Sequence, residues 1–585
     1  MPSRTLPTMS PLPRLKNLLK SGDSFKPLVY AEKCILDTLP GQVIRDIGWH
    51  CDSLSDVLNL SLCSRRLRAQ LLPCLYSNIE LKTNKQCKST LVSLSKRLEN
   101  ARHVRRLAVC PNPIEWTAPG EEIDENLICE LVCTLAPHLR SLEYFAWDGW
   151  EMPSDDLWTA LRKSCPHLKG ISSVIGDRPL NPGSQLYKFS NLRQFSLTVK
   201  TKSLDWLAAG PPKVERLPRR FWEMLIERCP RLEELTLNAV APAHRIFDAR
   251  NVTLGRWPRL RSITLGDMAL QESTKDDISS VQDYQAFMKF FANHPRLQHI
   301  ALQHAGGSTI FPSSFALPFS ALPRLESFHG PLKYLRSIPH PEKLRHLTLT
   351  SLHHTMSSFQ PTFNALQDFP NLESLSVWID LSFGGQLYLQ DETQLFSSFL
   401  NACPTLRHLH VMCFTRPTFR VVSLDLFRHE DVQKYSSDIQ RDFSRALRQA
   451  PNLESFTLIK MYKSSDEDMT TSAIRILQEN PNIEKFTLQY TQDRWPTLSA
   501  GRLRQMGVYR ASNYDVFGYP ESMQATECKV KTFGSVSTRR FNHNLSAKLP
   551  PGSPAWEARS PRSSISSDSR SWHRRTGSQS SFVVV

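Results

Sequence analysis

The sequence contains no apolar run that could cross a membrane, although 40% of its 585 residues are hydrophobic. A membrane-spanning helix needs roughly 18 or more consecutive apolar residues, and no stretch of that length occurs. The sequence also lacks a Gly-rich phosphate-binding loop, a repeated pair of zinc-spaced cysteines and the Gly-x-Ser-x-Gly turn of serine hydrolases. These absences predict a protein with no membrane partner, no cofactor and no catalytic site.

Cysteine is present but is not arranged as a disulfide framework. The 13 cysteines are spread along the chain, and the closest pair, Cys129 and Cys133, has no second pair beside it. Cys165, Cys229 and Cys403 each stand directly before a Pro, where a small buried thiol suits the end of a helix. The pattern predicts free thiols and a reducing compartment, either cytoplasmic or nuclear.

The formal charge of +16 is concentrated at the two ends of the chain. Residues 1–30 contain five basic residues and one acidic residue, and residues 531–585 contain nine basic residues and two acidic residues. The long segment between them therefore carries only +5. Because a nucleic-acid groove needs clustered Lys and Arg, this distribution predicts no nucleic-acid partner for the body of the protein.

An eight-residue phrase recurs through most of the chain. Its clearest copy, Pro230–Leu237, reads Pro-x-Leu-x-x-Leu-x-Leu. Thirteen copies can be aligned, and some of them lack the Pro. The residues at the first leucine position are Val104, Leu139, Leu168, Leu192, Leu232, Leu260, Leu297, Leu325, Leu344, Leu372, Leu406, Leu453 and Ile483.

Each phrase predicts a short strand that follows a helix. Its last two apolar positions are two residues apart, so they point to one face of a strand. Before most copies, apolar residues recur at helical spacing, as in Phe221, Leu225 and Cys229, and the Pro disfavours helix in the residue before it. Helix, Pro and strand at a period of a few tens of residues are typical of a leucine-rich-repeat solenoid. In this α/β fold, stacked units bury apolar faces that a single unit cannot bury.

Residues 33–80 differ from the repeats and predict a unit of three short helices. Apolar residues follow Leu39-Pro40 at helical spacing, a second helix follows a polar break, and a third runs from near Ser64 to Pro73. Fewer than 50 residues cannot enclose much of a core, so such a unit is marginal alone. We therefore expect it to bury some of its apolar residues against a partner.

The same segment resembles an F-box. The resemblance lies in Leu39-Pro40, in the stretch Leu60–Leu67 and in the ending Leu72–Tyr76, which is similar to F-box proteins of filamentous fungi. It implies a non-catalytic substrate adaptor that binds Skp1 and, through it, the cullin of a ubiquitin ligase, while the repeats bind a protein substrate. The residues that the resemblance assigns to Skp1 binding are Leu39, Pro40, Val43, Ile44, Ile47, Leu60, Cys63 and Leu67.

These patterns divide the chain into six predicted segments. They are a disordered N-terminal segment (1–32), the F-box (33–80), a connecting helix (81–103), the solenoid (104–490), a C-terminal cap (491–530) and a disordered, basic, Ser-rich tail (531–585). The alternative is a leucine-rich-repeat scaffold or GTPase regulator whose N-terminal helices only cap the stack. No repeat places a regular Asn after its strand, which weakens the regulator interpretation.

One column of residues is predicted to line the concave face of the sheet, meaning the face opposite the helices. Its members lie between the last two apolar positions of each phrase: Ala108, Glu143, Ser172, Ser196, Thr236, Thr264, Ala301, His329, Thr348, Ser376, His410, Thr457 and Thr487. They are short, mostly hydroxyl-bearing and almost uncharged. Two interpretations remain open: a crowded sheet that needs small polar residues, and a neutral protein-docking face.

The next column carries large apolar residues late in the chain. Trp378, Met412 and Ile459 occupy equivalent positions in successive repeats, and with His410 they are the predicted substrate-binding residues. The competing explanation is that the segment after Leu381 covers them. His408 and His410 have a spacing that can chelate a metal, but no third ligand is evident, so the sequence predicts no metal site.

Overall fold

The computed structural model describes most of the chain between Ile35 and His543. The described residues are 35–51, 53–113, 117, 120–200, 213–239, 245–248, 250–266, 277–303, 317–353, 356–379, 389–413, 446–447, 449–460, 469, 473, 476–477, 480–492, 502–514, 516, 520–530 and 536–543. The predicted N-terminal segment 1–32 and the predicted tail beyond residue 543 lie outside them.

The N-terminal unit contains one short helix and three longer ones. They are α1 (Ile35–Thr38), α2 (Gly41–His50), α3 (Leu54–Cys63) and α4 (Arg65–Tyr76). Ser53 and Ser64 cap α3 and α4 by accepting hydrogen bonds from the backbone N–H groups of Ser55 and Leu67, each at 3.1 Å.

The predicted end of the third helix at Pro73 is wrong, because α4 continues through Pro73 to Tyr76. A proline inside a helix removes one backbone hydrogen bond. Leu71 and Cys74, one on each side of Pro73, are both buried in the core of the unit. That packing holds the last turn in helical form.

The repeats form one 17-stranded sheet in which fourteen described strands run parallel, in sequence order. A separate parallel pair, β6 and β8, lies outside this sheet. The strands are β1 (Asn78–Leu81), β2 (Arg106–Val109), β3 (Tyr144–Trp147), β4 (Gly170–Ile175), β5 (Gln194–Val199), β6 (Lys213–Arg216), β7 (Glu234–Ala239), β8 (Arg245–Asp248), β9 (Ser262–Gly266), β10 (His299–Gln303), β11 (Ser327–Gly330), β12 (His346–His353), β13 (Ser374–Ile379), β14 (His408–Cys413), β15 (Ser455–Lys460), β16 (Lys485–Gln492), β17 (Arg502–Tyr514), β18 (Pro520–Val530) and β19 (Val536–His543).

All thirteen predicted strands are present, but the sheet begins one strand earlier than predicted. β1 pairs in register with β2, so residues assigned to the end of the F-box and to the connecting helix already belong to the sheet. The repeat assigned to Leu139 is shifted by three residues. Leu107 pairs with Phe145, so Leu142 occupies the first position and Ala146, instead of Glu143, lies in the concave column.

Helices cover one face of the sheet, as the α/β solenoid requires. Phe145 of β3 meets Trp158 edge to face with ring centroids 6.1 Å apart, and Phe195 of β5 meets Phe221 at 5.7 Å. The remaining helices are α5 (Asn84–Lys96), α6 (Leu98–Ala101), α7 (Glu125–Leu135), α8 (Asp155–Ser164), α9 (Arg219–Glu223), α10 (Asp277–Ala292), α11 (Met356–Leu366) and α12 (Leu389–Ala402). None of the helices in these ranges is long and apolar enough to span a bilayer.

The residue after the Pro of the phrase ties one repeat to the previous one. The side-chain amide of Asn371 donates to the carbonyl of Glu342 at 2.7 Å. Asn452 and Asn482 donate in the same way to the carbonyls of Pro404 and Pro451, at 3.1 and 2.8 Å. Because these bonds satisfy carbonyl groups at the ends of the preceding turns, they fix the spacing of the C-terminal repeats.

The three cysteines that precede a phrase are free and buried, as predicted. Burial raises the pKa of the Cys165 and Cys403 thiols to about 12 and that of Cys229 to about 11. These thiols therefore stay protonated at neutral pH and pack as small apolar groups.

The C-terminal end of the sheet changes direction. β16, β17, β18 and β19 pair antiparallel, one after another. The predicted cap at 491–530 is therefore built of long antiparallel strands. β19 extends the pairing past residue 531, where the sequence predicted that the disordered tail begins.

Candidate partner-binding surfaces

Two of the eight residues predicted to contact Skp1 belong to the core of the N-terminal unit. Ile44 and Leu67 are each 1% exposed and pack with Val57, Leu71 and Cys74. A side chain that is closed off in this way cannot also form an interface. The prediction that Ile44 and Leu67 contact a partner directly is therefore corrected: they hold α2 and α4 together.

The other six predicted residues lie at or near the surface. Leu39 and Leu60 are half-buried against the core, and Ile47 is also half-buried. Pro40 and Cys63 are exposed, and Val43 is 40% exposed. These six residues belong to α2, α3 and the Leu39-Pro40 turn that precedes α2.

Sequence reasoning missed Leu62, which is 68% exposed on α3. Its neighbour Ser61 is buried and donates its hydroxyl to the carbonyl of Leu58 at 2.7 Å. α3 therefore places a polar side chain inward and a large apolar side chain outward. The helical spacing of Leu54, Val57 and Leu58 could have indicated this inversion, because it puts Ser61 on the inner face and Leu62 beside it.

The Leu39-Pro40 turn is fixed by a contact from α4. Nη2 of Arg66 donates to the carbonyl of Leu39 at 2.7 Å. The carbonyl of Pro40 accepts the backbone N–H of Ile44 at 3.2 Å, which starts α2. The turn that carries the F-box resemblance is therefore held by both helices that flank the core.

The N-terminal unit joins the sheet with a single residue between them. Ser77 alone separates α4 from β1, and its carbonyl accepts the backbone N–H groups of both Arg105 and Arg106, at 2.9 and 2.8 Å. The Arg105 guanidinium also lies over the ring of Trp49 in α2, 5.9 Å from its centroid. These contacts fix the orientation of the unit relative to the first repeats.

The concave column has the composition that the sequence indicated, apart from the replacement of Glu143 by Ala146. Thr236 pairs with Thr264 across β7 and β9, and Ser376 pairs with His410 across β13 and β14. Nδ1 of His410 lies 2.9 Å from the Ser376 hydroxyl, and Nδ1 of His408 lies 2.9 Å from that of Ser455. The two histidines thus bond hydroxyl groups on opposite neighbouring strands and do not converge on one centre.

The apolar column is in register as predicted, but most of it is not open. Trp378 pairs with Met412, and Met412 pairs with Ile459. Met412 and Ile459 are only 8% and 7% exposed, whereas Trp378 is half-buried. The prediction that all three present an open apolar strip is wrong for Met412 and Ile459. Strand alternation gives the direction of a side chain and not whether another segment covers it.

No family model matches the chain, and no curated protein matches it. Among solved structures, a chain in the crystal structure of the Rad7 and Elc1 complex in yeast is similar to it, with a TM-score of 0.33 and 12% sequence identity. The match covers 71% of this chain and 91% of that chain. At this TM-score the likeness carries no argument about function.

Proposed function

We propose that this protein is a non-catalytic adaptor whose N-terminal helical unit binds Skp1 and whose repeat sheet binds a protein substrate for a cullin-based ubiquitin ligase. The observation that supports this proposal best is the exposed apolar surface of the small unit. Val43 and Leu62 stand out from helices whose inner faces already form a closed core. Together with the half-buried Leu39, Ile47 and Leu60 on the same small unit, these residues fit a second protein that covers them.

The partner surface consists of the Leu39-Pro40 turn, Val43, Ile47, Leu60, Leu62 and Cys63. Burying one large aliphatic side chain contributes about 1.5–3 kcal/mol, so these residues together supply a substantial part of the binding free energy of a complex. The fixed connection through Ser77 suits an adaptor, because a substrate on the sheet is then held at a constant position relative to Skp1.

Replacing both Val43 and Leu62 with Asp is expected to abolish co-purification with Skp1. Each substitution removes apolar area and places a charge where the partner would have to desolvate it. The matched control is Leu254→Asp, because Leu254 is 64% exposed and lies far along the chain in the repeats. The control is expected to bind Skp1 as the unmodified chain does, and circular dichroism should show that all variants remain folded.

Unchanged co-purification of the Val43→Asp, Leu62→Asp variant would contradict the proposed surface. A different result, in which the unmodified chain itself does not bind Skp1, would favour the alternative that the sequence left open, a scaffold or GTPase regulator.

The substrate side of the proposal predicts opposite behaviour for two residues of one column. Trp378→Ala is expected to leave the melting temperature within about 2 °C and to remove bound proteins from an affinity purification, since Trp378 is only half-buried and Trp side chains are frequent interface hot spots. Met412→Ala is expected to destabilise the sheet by roughly 2–5 kcal/mol, because it leaves a cavity. A melting temperature that falls by several degrees in Trp378→Ala would show that Trp378 is core.

A further inference from the structure

The residue after the Pro of the phrase is an exposed arginine in four consecutive repeats of the sheet. Each of these residues lies three positions before the first residue of a strand, namely β7, β9, β10 or β11. Because these strands pair in register, the arginines stand side by side at the edge where the chain enters the sheet. Neighbouring strands are about 4.8 Å apart, so the row is about 15 Å long. We call it the arginine column, and its members are Arg231, Arg259, Arg296 and Arg324.

The edge around the arginine column is positively charged. The stretches that extend three residues to either side of each column member and of Lys343, the equivalent residue before β12, contain nine basic and four acidic residues, a net charge of +5. The equivalent stretches of the next four repeats contain two basic and five acidic residues, a net charge of −3. Column members are 28 to 37 residues apart in the sequence, so only the fold brings their charges together.

The acidic residues near the arginine column compensate only part of this charge. Glu233 pairs at 3.7 Å with Arg193, which lies outside the column. Glu326 and Glu342 lower the charge near the other end. Among the residues that the structure describes, no member of the column forms an ion pair or a side-chain hydrogen bond. The four guanidinium groups are therefore open to an external acceptor.

Packing between repeats does not explain the arginines. In the following repeats the equivalent side chain donates a hydrogen bond, at 2.7–3.1 Å, to the carbonyl one residue before the same position of the preceding repeat. These donors are Lys343, Asn371, Thr405, Asn452 and Asn482. The arginine column does not form this bond and presents charge to solvent instead, which indicates a use outside the fold.

Two exposed apolar side chains accompany the arginine column. Leu254 and Phe319 each lie five residues before a column member, in the segments that lead into β9 and β11, and they are 64% and 76% exposed. The ring of Phe319 also contacts that of His340, with centroids 4.6 Å apart. A row of positive charge with apolar contacts beside it fits a partner that has both acidic and apolar side chains.

These features favour an acidic protein segment over a nucleic acid. Single-stranded nucleic acid stacks its bases on aromatic side chains, and Leu254 provides no aromatic face. Glu233 and Glu326 beside the column would repel a continuous phosphate backbone, whereas a protein segment can place its acidic residues only where the arginines are. A helix with one acidic residue per turn repeats every 5.4 Å or so, close to the strand spacing of about 4.8 Å.

We propose that the arginine column, together with Leu254 and Phe319, is a docking surface for an acidic helical segment of a partner protein. Each guanidinium forms charge-assisted hydrogen bonds with a carboxylate of the segment, and its apolar residues cover Leu254 and Phe319. The surface lies at the entry edge of the strands, apart from the N-terminal unit and from the concave face. It therefore does not rest on the adaptor function.

The test measures binding of three labelled peptides to the full-length chain by fluorescence anisotropy at physiological ionic strength. The first is a helical peptide of about 16 residues with one Glu per turn and Leu beside the Glu row. In the second peptide Gln replaces each Glu, and in the third Ser replaces each Leu. The first peptide is expected to bind roughly tenfold more tightly than the second and roughly threefold more tightly than the third.

Combining Arg259→Asn, Arg296→Asn and Arg324→Asn is expected to weaken binding of the first peptide roughly tenfold or more. The melting temperature should not fall, because Asn371 and Asn452 show that Asn at this position bonds the preceding repeat. Arg→Lys at the same three positions keeps the charge and should retain binding within about threefold.

The control combines Lys88→Gln, Lys96→Gln and Lys163→Gln. It removes the same charge from exposed helix positions and should change binding less than about twofold. Leu254→Ser with Phe319→Ser is expected to bind the first peptide only as well as the unmodified chain binds the third.

Equal binding of the Glu and Gln peptides, or equal weakening in the lysine control, would overturn the proposal. Loss of binding in the Arg→Lys variant, where the charge is kept, would also count against it. Binding of short duplex DNA or of phosphatidylserine vesicles without binding of the Glu peptide would overturn it in favour of a phosphate-bearing ligand. Skp1 co-purification should be the same for the Asn variant and the unmodified chain, so a failure of the adaptor function would be seen separately.

Discussion

Acidification from pH 7 to pH 5 is expected to destabilise the repeat sheet, with His329 on β11 contributing most among the histidines that the structure describes. Burial lowers the pKa of His329 from 6.5 to about 4. Burial is also the main cause of the lowered pKa of His294, His299 and His410. A change of this size in His329 alone corresponds to roughly 2 kcal/mol of unfolding free energy between pH 7 and pH 5, and roughly 3 kcal/mol once pH 4 is passed.

The sign follows from where the protons bind. The unfolded chain binds a proton at each histidine near pH 6.5, whereas the folded chain resists protonation until the pH approaches the lowered pKa. The stabilisation is therefore complete above pH 6.5 and is lost as the pH falls through the window from 6.5 to about 4 for His329.

His294 shows what protonation would break. Its Nδ1 lies 2.7 Å from the carbonyl of Phe290 and so carries the proton, while Nε2 accepts the backbone N–H of Trp257 at 3.2 Å. Protonation of Nε2 would take this acceptor away from the Trp257 N–H. It would also place a charge among the rings of Trp257 and Phe290.

The measurement is urea unfolding at pH 7 and pH 5 of the unmodified chain, of His329→Gln and of His346→Gln. His346 lies on the neighbouring strand and is exposed, so it is the matched control. On acidification, the free energy of unfolding of His329→Gln is expected to fall by roughly 2 kcal/mol less than that of the unmodified chain. The free energy of unfolding of His346→Gln should fall as much as that of the unmodified chain. Equal losses in all three proteins would mean that His329 does not titrate differently in the folded state.

The sheet could be predicted because the same sequence phrase recurs at each strand. Two apolar residues two positions apart, preceded by a Pro, give the strand, its inner face and its register at once, as in Leu235 and Leu237. The signal failed where aromatic residues replace leucine. In β3 the inner residues are Phe145 and Trp147, and the overlapping leucines at 139 and 142 gave a register shifted by three residues.

The proposed binding surfaces were harder to predict because a core and an interface use the same residue types. Ile44 and Val43 are neighbours of similar apolarity, yet Ile44 is 1% exposed and Val43 is 40% exposed. Only the crossing of α2 and α4 decides which of them faces inward. The same limit applies to Met412 and Ile459, whose direction follows from the strand, whereas their burial, at 8% and 7% exposure, does not.

Replacing Gly48 with Val is expected to abolish Skp1 binding while the main unfolding transition of the sheet is kept. Gly48 lies where α2 crosses α4. A Cβ built there would be 2.5 Å from Cδ2 of Leu71 and 3.1 Å from Sγ of Cys74. Both neighbours are buried, so neither can move aside without disturbing the core that also contains Ile44 and Leu67. Overpacking of this kind costs roughly 1–3 kcal/mol.

A cost of that size matters more in the N-terminal unit than in the sheet. At roughly 0.1 kcal/mol per residue, a unit of fewer than 50 residues is stable by only a few kcal/mol, so the substitution would remove a large part of its stability. The helices that carry the Leu39-Pro40 turn, Val43 and Leu62 would then no longer be held in fixed positions. The sheet has its own core of stacked strands, and its main transition does not depend on α2.

Gly41→Ala is the matched control for Gly48→Val, because Gly41 is at the start of the same helix. A Cβ at Gly41 would meet only the far end of the Gln70 side chain, with Oε1 at 2.6 Å, and that flexible amide can turn away. Replacing Gly with Ala in a helix also favours the helix by up to about 1 kcal/mol, so this variant should bind Skp1 at least as well as the unmodified chain. Limited proteolysis should cut Gly48→Val within residues 35–76 and leave the same region intact in Gly41→Ala. If Gly48→Val resisted cleavage there and still co-purified with Skp1, the close crossing of α2 and α4 would not be what holds the binding surface together.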